Sequence, residues 1–246
     1  MKLQDHIKKN LSLSFPIMVS QLGHITVGVV DSLMIGNVSI PQLAAVSLSS
    51  SIFGFILLFC IGLSYGITPL ISSSSEDKNY VSKTFYNGLY LNLVFAVSLA
   101  IITIILKSYL ENFGQDKDVL GFTYSYLDII CVSLIPLILF QTFKQFIEGL
   151  GYTKPAMYIS IFCNIINIFL NAVLIFGLFG FPRLEIIGAG YATLVSRVIM
   201  FVLIFLYCIF NKRFNRFIFS FQSSINFKSL KDIFNIGFTS GLQYIF

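Results

Sequence analysis

Charged residues are scarce in this chain of 246 residues. Asp, Glu, Lys and Arg make up 11% of it and hydrophobic residues 56%, whereas a soluble domain carries roughly 25% charge. The mean hydropathy of +0.85 agrees. This is not the composition of a soluble core, and it predicts an all-α, multi-pass membrane protein. The net charge of +5 does not indicate nucleic-acid binding, because Lys and Arg are spread over several loops.

Groups that carry enzymatic or metal chemistry are also few. The sequence has two histidines and four cysteines, and the cysteines lie in apolar runs without a CxxC pair. That arrangement is typical of helix packing, not of a disulfide or a metal site. The HExxH and P-loop motifs are absent. We therefore expect no catalytic residues, no organic cofactor and no enzymatic activity.

Six apolar segments are long enough to cross a bilayer, which takes about 20 residues. They cover residues 11–35, 43–71, 84–106, 120–147, 156–180 and 186–210. We predict a six-helix transmembrane lobe over residues 1–210, a cytoplasmic connector over 211–229 and a truncated seventh helix over 230–246. Because no basic anchor flanks that last apolar run, we expect the chain to be part of a longer protein.

Basic residues predict the orientation of these spans. With the N-terminus in the cytoplasm, twelve of the sixteen Lys and Arg residues fall in cytoplasmic segments and three in outer segments. The cytoplasmic set includes Lys144, and Arg197 lies within the sixth span. This bias follows the positive-inside rule, so we expect a protein of the cell membrane with a cytoplasmic N-terminus.

Asp31 is the one formally charged residue in the first apolar run, Leu11 to Ile35. A carboxylate at the centre of a membrane helix costs roughly 2.5–3.5 kcal/mol on insertion scales. Such a residue usually faces a polar cavity and binds a cation or a proton. Transport is therefore the first functional hypothesis.

Three asparagines in the fifth span form a polar stripe. Asn164, Asn167 and Asn171 lie at i, i+3 and i+7, so at about 100° per residue they share one helical face. Two roles are open: hydrogen bonds between helices, worth about 0.6 kcal/mol on average, or an oxygen-rich cluster for a cation or proton relay. Together with Asp31 the stripe favours the second, and Thr193 in the sixth span could add a hydroxyl.

Further polar residues lie near this candidate site. His24 precedes Asp31 by seven residues and lies on a similar helical face, so we assign it, with Gln21 and Asn164, to a candidate substrate cavity. Arg197 is roughly 16 Å deep at 1.5 Å per residue. It has no evident partner on its own helix, and we expect a structural or pairing role for it.

Other features carry weaker signals. Glu148 closes the fourth span and is predicted to be interfacial, whereas the role of Asp128 stays open. Gly62 and Gly66 match the GxxxG packing motif, which has many chance matches. The basic stretch from Asn211 to Lys231 is either an amphipathic element attracted to anionic lipid or a connector. We favour the connector, with surface contact as a by-product.

In their order and spacing these segments resemble the first half of multidrug and toxic compound extrusion (MATE) transporters. The resemblance covers nearly the whole chain. It rests on the asparagine helix and on LSFPIM (13–18), VDSLMIG (30–36), LAAVS (43–47), FIEGLG (146–151), GAGYAT (188–193) and NIGFTSGLQ (235–243).

The resemblance implies twelve helices in two lobes, of which this chain would be the first lobe and the start of the seventh helix. It implies export of organic, often cationic, compounds in exchange for Na⁺ or H⁺, by a protein that is a monomer when complete. Its partners would be the bilayer, a small organic substrate and the missing C-terminal lobe, but no nucleic acid.

The resemblance also implies which residues bind the coupling ion. The family's acid on the first helix matches Asp31, and its other positions match Asn167, Asn171 and Thr193. Na⁺ would lie at Asp31, Asn167 and Asn171, and no other metal is expected. Some members carry Asp where this chain has Asn171, which argues against a relay of two carboxylates. Na⁺-coupled bacterial members carry a Glu just after the stretch that matches residues 242–246.

Three alternatives remain. A lipid or lipid-linked oligosaccharide flippase of related fold would show a more cationic cavity, and Arg197 as the only basic residue deep in a span favours the exporter. An intramembrane enzyme would need a second acid or a His/Cys set, and a scaffold would not need Asp31.

Overall fold

The computed structural model describes residues 3–219 and 225–245 of the chain. Nine α-helices lie in this part. They are α1 (Leu3–Gly36), α2 (Ile40–Ser64), α3 (Ile67–Ser73), α4 (Lys78–Leu106), α5 (Lys117–Gly149), α6 (Lys154–Phe176), α7 (Glu185–Phe210), α8 (Lys212–Ile218) and α9 (Phe227–Ile245).

The prediction of an all-α fold with six membrane spans is confirmed. In the described residues six helical segments are long and apolar enough to cross a bilayer. They are Ser14–Gly36, Ile40–Ser73, Lys78–Asn112, Lys117–Gly149, Lys154–Phe176 and Glu185–Phe210. Each contains most of one predicted segment, because both the prediction and the helix depend on the same uninterrupted apolar run.

Capping side chains set where several helices begin. Ser39 accepts a hydrogen bond from the Gln42 backbone N–H at the start of α2, and Asp77 accepts two from the first turn of α4. These side chains satisfy backbone donors that have no partner within the helix. At the other end of α6, Gly177 adopts a left-handed conformation with φ of 73°, which glycine tolerates at a helix C-terminus.

The second span is broken into two helices, α2 and α3, at Tyr65 and Gly66. Pro69 lies three residues beyond the break and has no backbone N–H. In a continuous helix its ring would clash with the carbonyl of Tyr65, four residues earlier, which favours a break at this point. Next to this proline, the hydroxyl of Thr68 donates to the side-chain oxygen of Gln145 on α5, at 2.6 Å. This contact ties the broken span to α5.

Helix α5 lies at the centre of the bundle. Two thirds of its membrane-spanning part is buried, against a third or less in the other five spans. It packs against α2, α3, α4 and α7. The rings of Phe140, Phe143 and Phe146 belong to one of two apolar core clusters that surround α5. Leu127 and Leu134 belong to the other. The other helices are therefore positioned largely by their contact with α5.

Lys144 was counted among the residues of cytoplasmic segments, but its side chain does not lie in an exposed segment. The side chain is fully buried in α5 and donates to Ser20 Oγ of α1 at 3.2 Å. Ser20 in turn bonds to Ser160 of α6 at 3.1 Å. The count of basic residues missed this because a lysine near a helix end usually extends to the interface, whereas here three helices surround it.

Glycines allow α2 and α9 to approach backbone to backbone. A Cβ built on Gly62 would overlap the backbone of Gly241, and one built on Gly66 would overlap that of Ile233. From the other side, a Cβ on Gly237 would lie 2.9 Å from the carbonyl carbon of Leu63. The Gly62–Gly66 motif is therefore a packing contact between these two helices.

We expect Gly237→Val to destabilise the fold, because the new side chain would force α9 away from α2. Overpacking of this kind typically costs about 1–3 kcal/mol. Gly121→Val is the matched control, since Gly121 is also helical but has nothing within 4 Å of a Cβ. The measurement is the free energy of unfolding in detergent. Equal losses in the two variants would contradict the close packing of α2 and α9.

Candidate functional site

A cavity of about 200 Å³ lies between α1, α2, α5, α6 and α7. Its polar lining comes mainly from α1, α6 and α7, the three helices that carry the predicted ion-binding residues, and its apolar walls come mainly from α2 and α5. The polar residues that line it are Asp31, Ser50, Tyr126, Asn164, Asn167, Thr193, Ser196 and Arg197. The cavity therefore combines a cluster of polar side chains with apolar walls.

Asp31 is buried in this bundle, with 6% of its surface exposed. Asn171 Nδ2 donates to Asp31 Oδ1 at 2.5 Å, and the Thr193 hydroxyl donates to Oδ2 at 3.4 Å. An ionised carboxylate in such surroundings needs hydrogen-bond donors to offset its lost hydration. One donor from α6 and one from α7 meet this need.

The asparagine stripe continues this network along α6. Asn171 Nδ2 also donates to Asn167 Oδ1 at 3.1 Å. Asn167 Nδ2 donates to Ser196 Oγ at 3.2 Å and reaches Thr193 Oγ1 at 3.5 Å. The four predicted ion-binding residues thus form one connected group with Ser196, and a change at any of them alters the partners of the others.

The same face of α6 is joined to α1 at two levels. Ser20 bonds to Ser160 and Asp31 to Asn171, and both pairs are separated by 140 residues. The two helices therefore run parallel and in register over eleven residues, about 16 Å at 1.5 Å per residue. This register is what brings the carboxylate of α1 to the amide of α6.

The side-chain oxygen of Asn171 is buried and has no hydrogen-bond donor in the described part of the chain. Leaving an amide oxygen unpaired in a buried position costs about 1–3 kcal/mol. This oxygen lies in the residue that also contacts Asp31, so the group contains an acceptor that is ready for a proton donor or a cation.

The oxygen atoms of this group determine which ligand it could bind. They are the Asp31 carboxylate, carboxamide oxygens of Asn167 and Asn171, and the Thr193 hydroxyl, and such hard oxygens prefer hard cations. No cluster of three or more His, Cys, Asp or Glu side chains was found within residues 3–219 and 225–245. One carboxylate among neutral oxygens suits a monovalent cation or a proton better than a transition metal.

Arg197 finds its partners on other helices. Its Nη1 donates to Ser133 Oγ of α5 at 2.6 Å, and its guanidinium carbon lies 5.3 Å from the centre of the Phe53 ring of α2. Cation–π and hydrogen-bond contacts together stabilise a cation in an apolar environment. Because Arg197 and Asp31 line the same cavity, they place one charge of each sign there.

The remaining predicted residues are placed differently. Asn164 lines the cavity without belonging to the hydrogen-bonded group. Gln21 donates to the Tyr65 hydroxyl at the break between α2 and α3 and is not among the residues that line the cavity. The side chain of His24 lies outside the described part of the structure.

The two acids of the fourth span also have defined surroundings. Asp128 forms an ion pair with Lys107 at 2.5 Å, far along α5 from the Lys144 end. Glu148 was expected at the interface but is buried, with 9% of its surface exposed. It lies one turn from Lys144 on the same helix, although no ion pair joins the two among the described residues. Neither acid lines the cavity.

Sequence reasoning missed three residues that contribute to the site. Ser196 follows Thr193 by three residues and so shares its face of α7; this spacing could have identified it. Ser133 and Tyr126 lie on the long, mostly apolar α5. Tyr126 lines the cavity and Ser133 binds Arg197. No pattern in α5 marks these two positions.

The chain was compared with known proteins. The MatE family model matches residues 16–173. A probable multidrug resistance protein NorM of Photorhabdus laumondii is 31% identical over 96% of this chain and 52% of that protein. The multidrug resistance protein NorM of Photobacterium profundum is 29% identical over 96% of this chain and 52% of that protein. The chain thus spans about half the length of the curated relatives it matches.

Solved structures show the same fold. An outward-facing multidrug resistance MATE family transporter of the MOP superfamily aligns with a TM-score of 0.85 and 25% identity, over 97% of this chain and 52% of that one. An inward-facing structure of such a transporter aligns with a TM-score of 0.80 and 22% identity, over 96% of this chain and 54% of that one.

A double-mutant cycle tests whether Asp31 and Asn171 stabilise each other. We expect Asn171→Leu to destabilise the protein strongly, because it removes the near donor of a buried carboxylate. In the Asp31→Leu background the same change should cost less, giving a coupling energy of about 1–3 kcal/mol. The measurement is the free energy of unfolding in detergent. Asn164→Leu is the control, and a coupling with Asp31 as large as that of Asn171 would contradict the assigned network.

Proposed function

The chain belongs to the MatE family, and from this membership we propose that it acts as the N-terminal lobe of a multidrug efflux antiporter. In this proposal the whole protein exports organic, mainly cationic, compounds across the cell membrane in exchange for Na⁺ or H⁺. The observation that carries it is the buried Asp31 carboxylate, bonded to Asn171 and Thr193 at the edge of a polar cavity.

Asp31 is the acceptor of the coupling ion. If it takes up a proton, the new carboxyl O–H can donate to the unpaired Asn171 oxygen, which has no other donor in the described chain. If it binds Na⁺, the oxygens of Asn167 and Asn171 can replace water around the ion. Either event reorganises the hydrogen bonds that join α1 to α6 and α7, so it changes the relative stability of different helix arrangements.

The size of the cavity indicates whether it would hold the coupling ion or the exported compound. At about 200 Å³ it is smaller than the roughly 300–1,000 Å³ typical of pockets for drug-sized ligands. The cavity between these helices therefore suits a coupling ion and its water. The organic substrate would bind in a larger space, shared with a second lobe or opened in another helix arrangement.

Arg197 supports a second candidate function, that of a flippase for lipids or lipid-linked oligosaccharides. A positive charge at the cavity could attract a lipid phosphate. The contacts with Ser133 and Phe53 favour a structural role instead, since both hold the guanidinium against the cavity wall. An antiporter therefore remains the better proposal.

The proposed organisation retains the sequence-based division. Residues 1–210 form the transmembrane lobe, residues 211–229 the cytoplasmic connector, and residues 230–246 a part of the seventh helix. Helix α9 begins at Phe227, three residues before the proposed boundary, and residues 220–224 lie outside the described part. The N-terminus faces the cytoplasm, and the complete transporter is a monomer.

We expect Asp31→Asn to reduce coupled efflux by about tenfold or more, since an amide cannot provide the charge for which cation and substrate compete. The measurement is export of a fluorescent organic cation from cells that express the complete gene product. Asp118→Asn, an exposed acid at the start of α5, is the control and should leave efflux unchanged. Undiminished efflux in Asp31→Asn would contradict the proposed role.

The coupling ion is identified by changing one gradient at a time in proteoliposomes. An imposed Na⁺ gradient at equal pH should drive efflux if the oxygens of Asn167 and Asn171 coordinate Na⁺. A pH gradient without Na⁺ should drive it if Asp31 only exchanges a proton.

Asn171→Asp places a second carboxylate beside Asp31, and two such groups at hydrogen-bond distance favour sharing one proton. We therefore expect this variant to respond more to the pH gradient than the natural protein does.

A further inference from the structure

Helix α8 presents a basic face and buries an aromatic one. Lys212, Arg213 and Arg216 are exposed, whereas Phe214 and Phe217 are buried to 0% and 2% exposure. The aromatic face packs on the protein and the basic face is exposed, so α8 displays positive charge directly after the membrane-spanning α7. The sequence alone had favoured a simple connector here.

Aromatic packing holds α8 in one position. The Phe214 ring centre lies 5.2 Å from that of Tyr152 and 5.7 Å from that of Tyr207. Phe217 contacts Phe146 of α5, with ring centres 6.0 Å apart. Aromatic contacts of this kind each contribute about 0.5–1.5 kcal/mol. The basic face of α8 is therefore a fixed surface and not a loose chain of charges.

The basic residues line a pocket of about 450 Å³ between α8 and the loop that connects α5 to α6. Hydroxyl groups of Ser75 and Tyr152 also line it. Arg213 donates to the Tyr152 hydroxyl at 3.1 Å, which orients its guanidinium. No ion pair within residues 3–219 and 225–245 involves any of the three cations, so their charge is available to an anion.

A shallow, open apolar groove of about 840 Å³ adjoins this pocket. Its walls are Ile159 of α6 with Leu203, Leu206 and Phe210 of α7. Lys212 and Arg213 line both the groove and the basic pocket, so the two spaces adjoin. Phe210 is 80% exposed at the junction, as expected of a side chain that contacts hydrocarbon.

We propose that this pair of spaces binds one anionic phospholipid, with its phosphate headgroup in the basic pocket and an acyl chain in the groove between α6 and α7. The cations supply attraction for a net negative headgroup, which a zwitterionic lipid offers less strongly. The groove explains why a lipid fits better than free phosphate, since only a lipid has an apolar chain to place there.

The test compares lipid retention by the purified protein in detergent, using native mass spectrometry. Phosphatidylglycerol and phosphatidylcholine with identical acyl chains are the probes. We expect preferential retention of phosphatidylglycerol, lowered about tenfold or more by the double change Arg213→Gln and Arg216→Gln. The control is Lys228→Gln with Lys231→Gln, which removes the same charge from exposed positions of α9 and should retain the preference. Circular dichroism and size-exclusion chromatography establish that each variant is folded.

Two further measurements separate lipid from other anions and do not depend on the arginine variant. Leu206→Trp fills the groove without changing charge and should also lower phosphatidylglycerol retention. Inorganic phosphate at millimolar concentration should not displace the lipid. The proposal is overturned if the two probes are retained equally, if both double variants lose the lipid equally, if Leu206→Trp has no effect, or if phosphate displaces the lipid.

Discussion

The burial of one carboxylate constrains how three helices of this protein meet. Asp31 can lie inside an apolar bundle only if donors from neighbouring helices replace its water, and Asn171 and Thr193 provide them. This requirement sets the register of α1 against α6, since a shift by one turn would separate the pair. The cavity, the amide network and the proposed ion exchange all depend on this contact.

The central helix α5 supports this contact through its own bonds to neighbouring helices. Helix α5 holds Arg197 through Ser133 at its middle and, near its C-terminal end, reaches α1 through Lys144 and Ser20. Helix α1 is therefore tied to its neighbours at two levels, while its lipid-facing side carries exposed apolar residues such as Phe15 and Leu22. Beside these polar contacts α1 packs along α6 and against α2 and α7, so the polar pairs lie within a continuous helix interface. A change of protonation or ion occupancy at Asp31 would act directly on one of these two levels.

Charge is used differently at the membrane surface and inside the bundle. Inside, Asp31 and Arg197 are both matched to named partners, because unpaired charge is costly in a low-dielectric environment. On α8, Arg213 and Arg216 are exposed and leave their charge open to the surroundings. The first arrangement stabilises one helix packing, and the second is suited to an external anion. The same residue type thus serves a structural role at position 197 and a recognition role in the proposed lipid site.

The sequence by itself determined the six spans, the asparagine stripe and the choice of Asp31, because length, period and the cost of a buried charge are properties of local sequence. It also indicated the Gly62–Gly66 contact surface, although not that α9 would occupy it. Tertiary structure alone decided that Lys144 is buried, that Arg197 bonds to Ser133, and that Gln21 turns to Tyr65 instead of the cavity. Each of these depends on which side chains arrive from distant helices, and no spacing within one helix records that.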